Sequence, residues 1–281
     1  MTRLTDEPSG TGNVPALPQV PRLAATVILM RDGAAGPEVF MVVRHHAIDF
    51  ASGALVFPGG RLEEADRALA ADPVLCPSDA GVVGAALALR VGAIRETFEE
   101  CGVLLARPEG SDALVDAGRL RTIASAQAPG RQDADGFAAL LRAERLVLAT
   151  DLLTPFAHWI TPVTYRKRYD TLFLMVRAPD DQLGVHDGSE TIDSVWIRPA
   201  DAIEQAAAGR YKLVFATLLN LQKLARHASV ALALEAARTT RLVTVVPEAV
   251  GPTDSGVRCL RLPAEADYGG ELFTVDLPPA V

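Results

Sequence analysis

Cysteine is scarce in this chain. Its three thiols, Cys76, Cys101 and Cys259, are widely separated, odd in number and without the close spacing of a thiolate zinc site. That argues against a disulfide framework and for a reducing, cytoplasmic setting. Long hydrophobic runs are missing too: the longest apolar stretches, 23–30 and 82–89, fall well short of the roughly 20 residues a bilayer-spanning helix needs, so no membrane partner is expected. Residues 1–20 lack the basic start and apolar block of a secretory signal, and their Thr, Pro, Gly, Asp and Glu predict a flexible tail. An excess of positive charge is also absent. With 27 Lys and Arg against 35 Asp and Glu, the net charge is −8. Such a chain does not wrap nucleic acid through its overall field, although a local basic groove could hold a phosphorylated small molecule.

What the chain does have is apolar content, 49% of 281 residues, enough for a full-sized core. Residues 23–30 and 39–44 are nearly all apolar and are separated by Asp32-Gly33 and Gly36-Pro37. This predicts two strands joined by a turn and buried on both faces, in a sheet that helices must cover. An alanine-rich segment, 65–88, is broken at Asp72-Pro73 and Cys76-Pro77; Ser78 and Asp79 then offer N-caps for a helix over about 80–103. Residues 111–149 predict two or three short helices. Strands are expected at 159–162, 171–176 and 194–197, helices at 199–208 and 213–227, and strands or an extended arm without its own core over 229–281.

The helix over 80–103 carries the chemistry. Ala93, Ile94, Phe98, Cys101 and Leu105 can face the sheet at helical spacing while Glu96, Glu99 and Glu100 point elsewhere. Three carboxylates on one face can bind hard divalent cations through oxygen, and such cations neutralise a diphosphate and activate water. Taken alone, three glutamates at this spacing are more often a solvated face. Their context, a Phe57-Pro58-Gly59-Gly60 turn upstream with Arg95 and Gly102 alongside, favours the metal site. Arg95 can pair with an acid of the preceding loop, and Gly102 can end the helix or permit a close backbone approach.

These residues resemble the signature of the nudix hydrolases, G-x5-E-x7-R-E-U-x-E-E-x-G-U, where U is bulky and apolar. Gly60 matches the opening glycine; Arg95, Glu96, Glu99, Glu100, Gly102 and Val103 match the second half. Thr97 stands where U is expected, and Asp66 where the first glutamate is expected, with Glu63 and Glu64 as competitors. Arg95 lies far beyond the usual eight-residue step, so about twenty residues are inserted within the box. Such a split box is similar to that of the branch containing the peroxisomal acyl-coenzyme A diphosphatase, a resemblance extended by His158-Trp159-Ile160-Thr161-Pro162, by 168–173, and by Glu190 followed by Trp196-Ile197-Arg198-Pro199.

The resemblance implies an α/β/α sandwich with a mixed sheet over residues 21–228, holding an insertion at about 67–87 and a helical segment at about 111–149. Residues 229–281 would be an extension that packs on the domain or forms a dimer arm in a homodimer. It also implies Mg2+- or Mn2+-dependent cleavage of a nucleoside diphosphate linked to another group. Coenzyme A or an acyl derivative is the first choice of substrate, ADP-ribose or a related compound the second, and a ligand sensor without turnover the third. Glu96, Glu99 and Glu100 match the metal-binding glutamates, Glu99 and Glu100 with Arg95 belong to the catalytic set, and Glu190 is the candidate base. Gly59, Gly60, Arg44, Arg166 and Arg168 are candidate substrate contacts, the arginines because guanidinium recognises phosphate bidentately; an exposed strand end explains Arg166-Lys167-Arg168 equally simply. Gly53 and 57–60 also fit the tail of a coenzyme A pattern, G-x3-F-P-G-G, while the basic residue expected before it is replaced by Ile48, Asp49 and Phe50. His45 and His46, adjacent and so facing opposite ways on a strand, Cys101 beside the acids, and Trp159 are expected to be structural.

Overall fold

A computed structural model describes residues 19–44, 53–77, 81–126, 134–182, 191–251 and 257–276. The two apolar runs form β1 (Arg22–Gly33) and β2 (Gly36–Arg44), antiparallel about a two-residue turn. Short strands β3 (Leu55–Val56) and β4 (Gly59–Arg61) lead into α1 (Glu64–Ala70) and α2 (Ala85–Cys101). Then come β5 (Ala106–Pro108), α3 (Ala117–Ala126), α4 (Ala134–Ala143) and β6 (Leu146–Leu148), with β5 and β6 pairing as a ribbon. The middle of the chain supplies β7 (Thr154–Ile160), β8 (Tyr169–Arg177) and β9 (Thr191–Ile197), followed by α5 (Pro199–Ala207), α6 (Phe215–Leu224) and α7 (Val230–Thr239). Last are β10 (Thr244–Val245), β11 (Glu248–Val250), β12 (Val257–Arg261) and β13 (Leu272–Asp276).

The main sheet is mixed, in the order β10-β7-β8-β1-β2-β3, with β8 parallel to β1 and β7 antiparallel to β8. Beside β1 it divides. Met30–Gly33 pair with β2, whereas Ala24, Ala25 and Thr26 pair with β4, so β4 enters where β2 has diverged. Period-2 alternation sends Ala25, Val27, Leu29, Phe40 and Val42 into a core shared with α1 to α4, and Ile28, Met30, Val39 and Met41 into a second core under α5 to α7. Both faces are therefore covered, which is why these strands are apolar throughout.

The helix expected over 80–103 starts later, at Ala85, behind Gly84 at φ +60°, a left-handed value that suits glycine. It ends at Gly102, whose φ of +66° and N–H to the Phe98 carbonyl (2.9 Å) close the last turn; no atom lies within 4 Å of its Cβ direction, so the glycine ends the helix and permits no close approach. Leu105 is buried beyond the helix, not on it. The span 111–149 contains a strand, β6, besides its helices. Ser78, Asp79, and residues 1–18 of the expected tail lie outside the described residues.

The segment after 228 contains an unexpected helix, α7, capped by the Ser229 hydroxyl accepting from the Leu232 amide (3.3 Å) and burying Val230, Ala233 and Leu234. β10 then extends the main sheet beside β7. Tyr268 completes the attachment: its hydroxyl accepts from Trp159 Nε1 (2.9 Å) and donates to Asn220 Oδ1 (2.8 Å), all three residues being buried. Tyr268→Phe therefore strands two buried polar groups, each costing about 1–3 kcal/mol. A lower urea midpoint with an unchanged m-value is expected.

Candidate active site

The acids and their neighbours meet where α2 crosses β4. Arg95 is 1% exposed and uses its whole fork. Its Nε and Nη2 bind the two oxygens of Asp66 (2.8 and 2.9 Å), Nη2 also reaches the Arg61 carbonyl (3.3 Å), and Nη1 stands 3.1 Å from both Glu96 Oε1 and Glu99 Oε2. Burial alone would pull the guanidinium's pKa down; the Asp66 hydrogen bonds and the charges of Glu96, Asp66 and Glu99 raise it above its ordinary value instead. Arg95 is thus a permanent cation binding three carboxylates.

Asp66, rather than Glu63 or Glu64, partners Arg95, and the phase of α1 decides it. Asp66 is 1% exposed on the inner face, where it also accepts from the Glu63 amide (2.9 Å); the Glu64 side chain is 90% exposed and lies 3.5 Å from Arg67. The close approach of α1 and α2 depends on Gly92, since a Cβ there would meet Asp66 Oδ2 at 3.0 Å. An isolated glycine inside a helical run is the sequence signal for such a contact. Asp66→Glu, which restores the glutamate of the family pattern, is therefore expected to lower stability by about 1–3 kcal/mol through overpacking, read from denaturant melts.

Glycines on β4 shape the other wall. The Gly59 amide donates to Glu100 Oε2 (2.9 Å), and a Cβ on Gly60 would fall 2.2 Å from Glu96 Oε1. Gly60→Ala should cost about 1–3 kcal/mol by overpacking and weaken Mn2+ binding, measured from the electron paramagnetic resonance of free Mn2+. Thr97, placed where the signature has an apolar residue, behaves as one: it is fully buried and its hydroxyl donates to the Ala93 carbonyl (2.7 Å). Cys101 is fully buried.

The donor set of Glu96, Glu99 and Glu100 is all oxygen and anionic, which fits Mg2+ or Mn2+. With Arg95 Nη1 between Glu96 and Glu99, no group of three or more His, Cys, Asp or Glu among the described residues encloses an ion as it stands. Nη1 contacts one oxygen of each carboxylate, Glu96 Oε1 and Glu99 Oε2, so a cation would be held through their other oxygens and Glu100 while Asp66 keeps Nε and Nη2 in place.

The remaining candidates are scattered. Arg44 ends β2, and Glu190, His45 and His46 lie outside the described residues. Arg166 is exposed in the turn between β7 and β8. Arg168 binds the carbonyls of Thr161 (2.9 Å) and Gln19 (2.7 Å), so its guanidinium fastens that turn. Trp159 is core, 6% exposed. Among the described residues no helix is long and apolar enough to cross a membrane.

Comparison with known proteins gives this arrangement a family. The model of the NUDT19 nudix domain matches residues 76–224, more than half of the chain. The acyl-coenzyme A diphosphatase NUDT19 of Gallus gallus is 30% identical over 213 residues, 60% of this chain and 56% of its own; a Caenorhabditis elegans protein provisionally named nudix hydrolase 7 is 26% identical over 175 residues, 62% and 51% respectively. The chain thus spans about half the length of the curated relatives it matches. A crystal structure of a nudix hydrolase from Alicyclobacillus acidocaldarius is 27% identical and superposes with a TM-score of 0.63, covering 83% of this chain and 99% of that one. With its split box closed by Asp66 and Arg95, the chain belongs to the nudix hydrolase family, in the branch of the NUDT19 domain.

Proposed function

We propose that this protein hydrolyses the diphosphate of coenzyme A or an acyl-coenzyme A. The observation that carries the hydrolase reading is that Glu96 and Glu100 lie against Gly60 and Gly59 of β4 while Arg95 Nη1 ties Glu99 to Glu96 beside them. The 30% identity to a protein named acyl-coenzyme A diphosphatase supports the choice of substrate. A bound Mg2+ or Mn2+ would supply charge neutralisation at the diphosphate and a more acidic water. The chain's own groups do the positioning. Arg95, fixed by Asp66, sets the rotamers of Glu96 and Glu99; the Gly59 amide aims Glu100; Gly60 leaves the turn open to the substrate's phosphates. Water oxygen bonds to one phosphorus as the bond from that phosphorus to the bridging oxygen breaks, and each product leaves with a terminal phosphate.

The test is product mass analysis after incubation with Mg2+ or Mn2+ and coenzyme A, an acyl-coenzyme A, ADP-ribose and a nucleoside-diphosphate sugar. Adenosine 3′,5′-bisphosphate with a phosphopantetheine product is the expected result. Faster cleavage of ADP-ribose would move the substrate assignment, and binding without cleavage of any compound would establish a ligand sensor.

A further inference from the structure

His158 and Asp170 take no part in the site built on Glu96, Glu99 and Glu100, yet strand pairing sets them on its face of the sheet. Gly60, against which Glu96 lies, pairs with Ala25; Ala25 pairs with Leu172, Leu172 with His158, and His158 with Thr244. Paired residues share a face, so one row of positions runs from the acidic helix across β4, β1, β8, β7 and β10. Leu23, Asp170 and Ile160 form a second row two residues along. The floor of this shelf is aliphatic and half-buried, with Leu23 and Leu172 at the margin of the α1 to α4 core. Its β7 side carries no helix of that core: the strand gives the core no residue, and α7 packs on β7 from the opposite face.

The polar end of the shelf is held from two sides. His158 Nε2 meets Asp170 Oδ1 (2.5 Å) and Nδ1 meets Thr244 Oγ1 (2.8 Å), so β10, part of the chain after 228, fixes the ring. Asp170 keeps its other oxygen in reserve: Oδ2 makes no hydrogen bond or ion pair with a described residue. The His158 and Asp170 side chains are 25% and 27% exposed, and the strand neighbours of Asp170 on this face include Leu23, Leu172 and Ile160. A carboxylate oxygen left unpaired on an aliphatic surface loses part of its hydration without a replacement, and a donor brought there by a ligand supplies one. From Gly60 to Asp170 is about 10 Å across two strands and about 7 Å along them. Proton transfer needs contact at about 3 Å, so Asp170 makes and breaks no bond at a phosphorus held by the glutamates. The nucleoside joined to that phosphorus does span the gap.

We propose that Asp170 is a specificity-determining residue that accepts a hydrogen bond from a neutral donor of the substrate's nucleoside, a base amine or a ribose hydroxyl, with His158 and Thr244 as its positioning residues. This rests on the diphosphatase reading. The aliphatic floor takes the flat side of the nucleoside and the carboxylate fixes its orientation, the usual division of labour in a ligand site. A ligand that presents a carbonyl or a bare carbon in place of the donor leaves Oδ2 unpaired and is disfavoured. The chain after 228 thereby completes the substrate site through Thr244.

Calorimetry with Mg2+ and four nucleotides separates the possible donors. Against ADP, IDP replaces the base amine by a carbonyl, and 2′-deoxy-ADP and 3′-deoxy-ADP each lack one hydroxyl. In the wild type, the analogue without the recognised donor should bind about tenfold more weakly than ADP or worse, and in D170A that margin should fall to within about twofold of one. D170N, whose amide oxygen still accepts, should retain part of the margin, and T244V, which frees His158 Nδ1, should reduce it. A merely structural role would lower the melting temperature and weaken all four nucleotides alike, leaving their ratios unchanged. If D170A does not fold, D170N and T244V must each reduce the margin. Equal binding of the four nucleotides, no measurable binding of ADP, or a margin that survives these variants overturns the assignment and leaves the diphosphatase reading intact. An Asp170-dependent margin in a protein that cleaves no diphosphate overturns the diphosphatase reading and leaves the assignment.

Discussion

Arg95→Met should destabilise the protein by about 3–5 kcal/mol, the cost of breaking a buried charge pair by removing one partner. Asp66 is the reason. Its side chain is fully shielded from solvent, and without Nε and Nη2 its only remaining hydrogen bond to a described residue is the Glu63 amide. Glu96, also buried, loses Nη1 at the same time. Methionine fills the volume without supplying a donor, so the loss is electrostatic rather than a cavity. Urea unfolding gives the magnitude. The double variant Arg95→Met with Asp66→Leu should recover much of it, because replacing both members of a buried pair by apolar groups removes the stranded charge. A single variant as stable as the wild type would show that the pair does not brace α1 against α2.

Glu99→Gln and Glu100→Gln should behave oppositely, preserving the fold and losing the reaction. Glutamine keeps the length of glutamate and a carbonyl oxygen, so at position 100 it can still accept from the Gly59 amide that glutamate uses at 2.9 Å. What it loses is the negative charge that would hold a divalent cation. Removing one preorganised electrostatic contact at a reaction centre costs about 10²–10³-fold in kcat, and each variant should show a loss of that order with weaker Mn2+ binding. Cleavage at the wild-type rate in both variants would sink the metal assignment.

Much of this architecture is legible in the sequence because burial on two faces leaves an unmistakable trace. The runs at 23–30 and 39–44 have no polar alternation, and both cores receive alternate residues from them. The acidic helix is legible for a different reason: its three glutamates repeat at one helical spacing beside a turn that only glycine can make so close to a carboxylate. What escapes a sequence reading is short or nonlocal. β5 and β6 are three residues each, too short for any period to emerge. The start of α2 depends on the backbone at Gly84, whereas Ser78 and Asp79 carry the stronger capping chemistry. The partner of Arg95 could not be chosen among Glu63, Glu64 and Asp66 without the phase of α1.

The Asp66–Arg95 pair closes a loop of 29 positions where the family's unbroken box closes one of eight. Loop-closure entropy grows only with the logarithm of length, so this longer closure costs about 1 kcal/mol more. Part of that chain is tied down along the way, since Leu75 and Cys76 are buried and the Leu75 carbonyl accepts from the Leu148 amide. The two halves of the site are thus joined by the packed core more than by their covalent proximity. In kinetic terms, the catalytic constellation is a high-contact-order feature of a fold whose helices and hairpins can form first, and it should assemble late in refolding, after the strands that carry Gly59 and Gly60 have found β1.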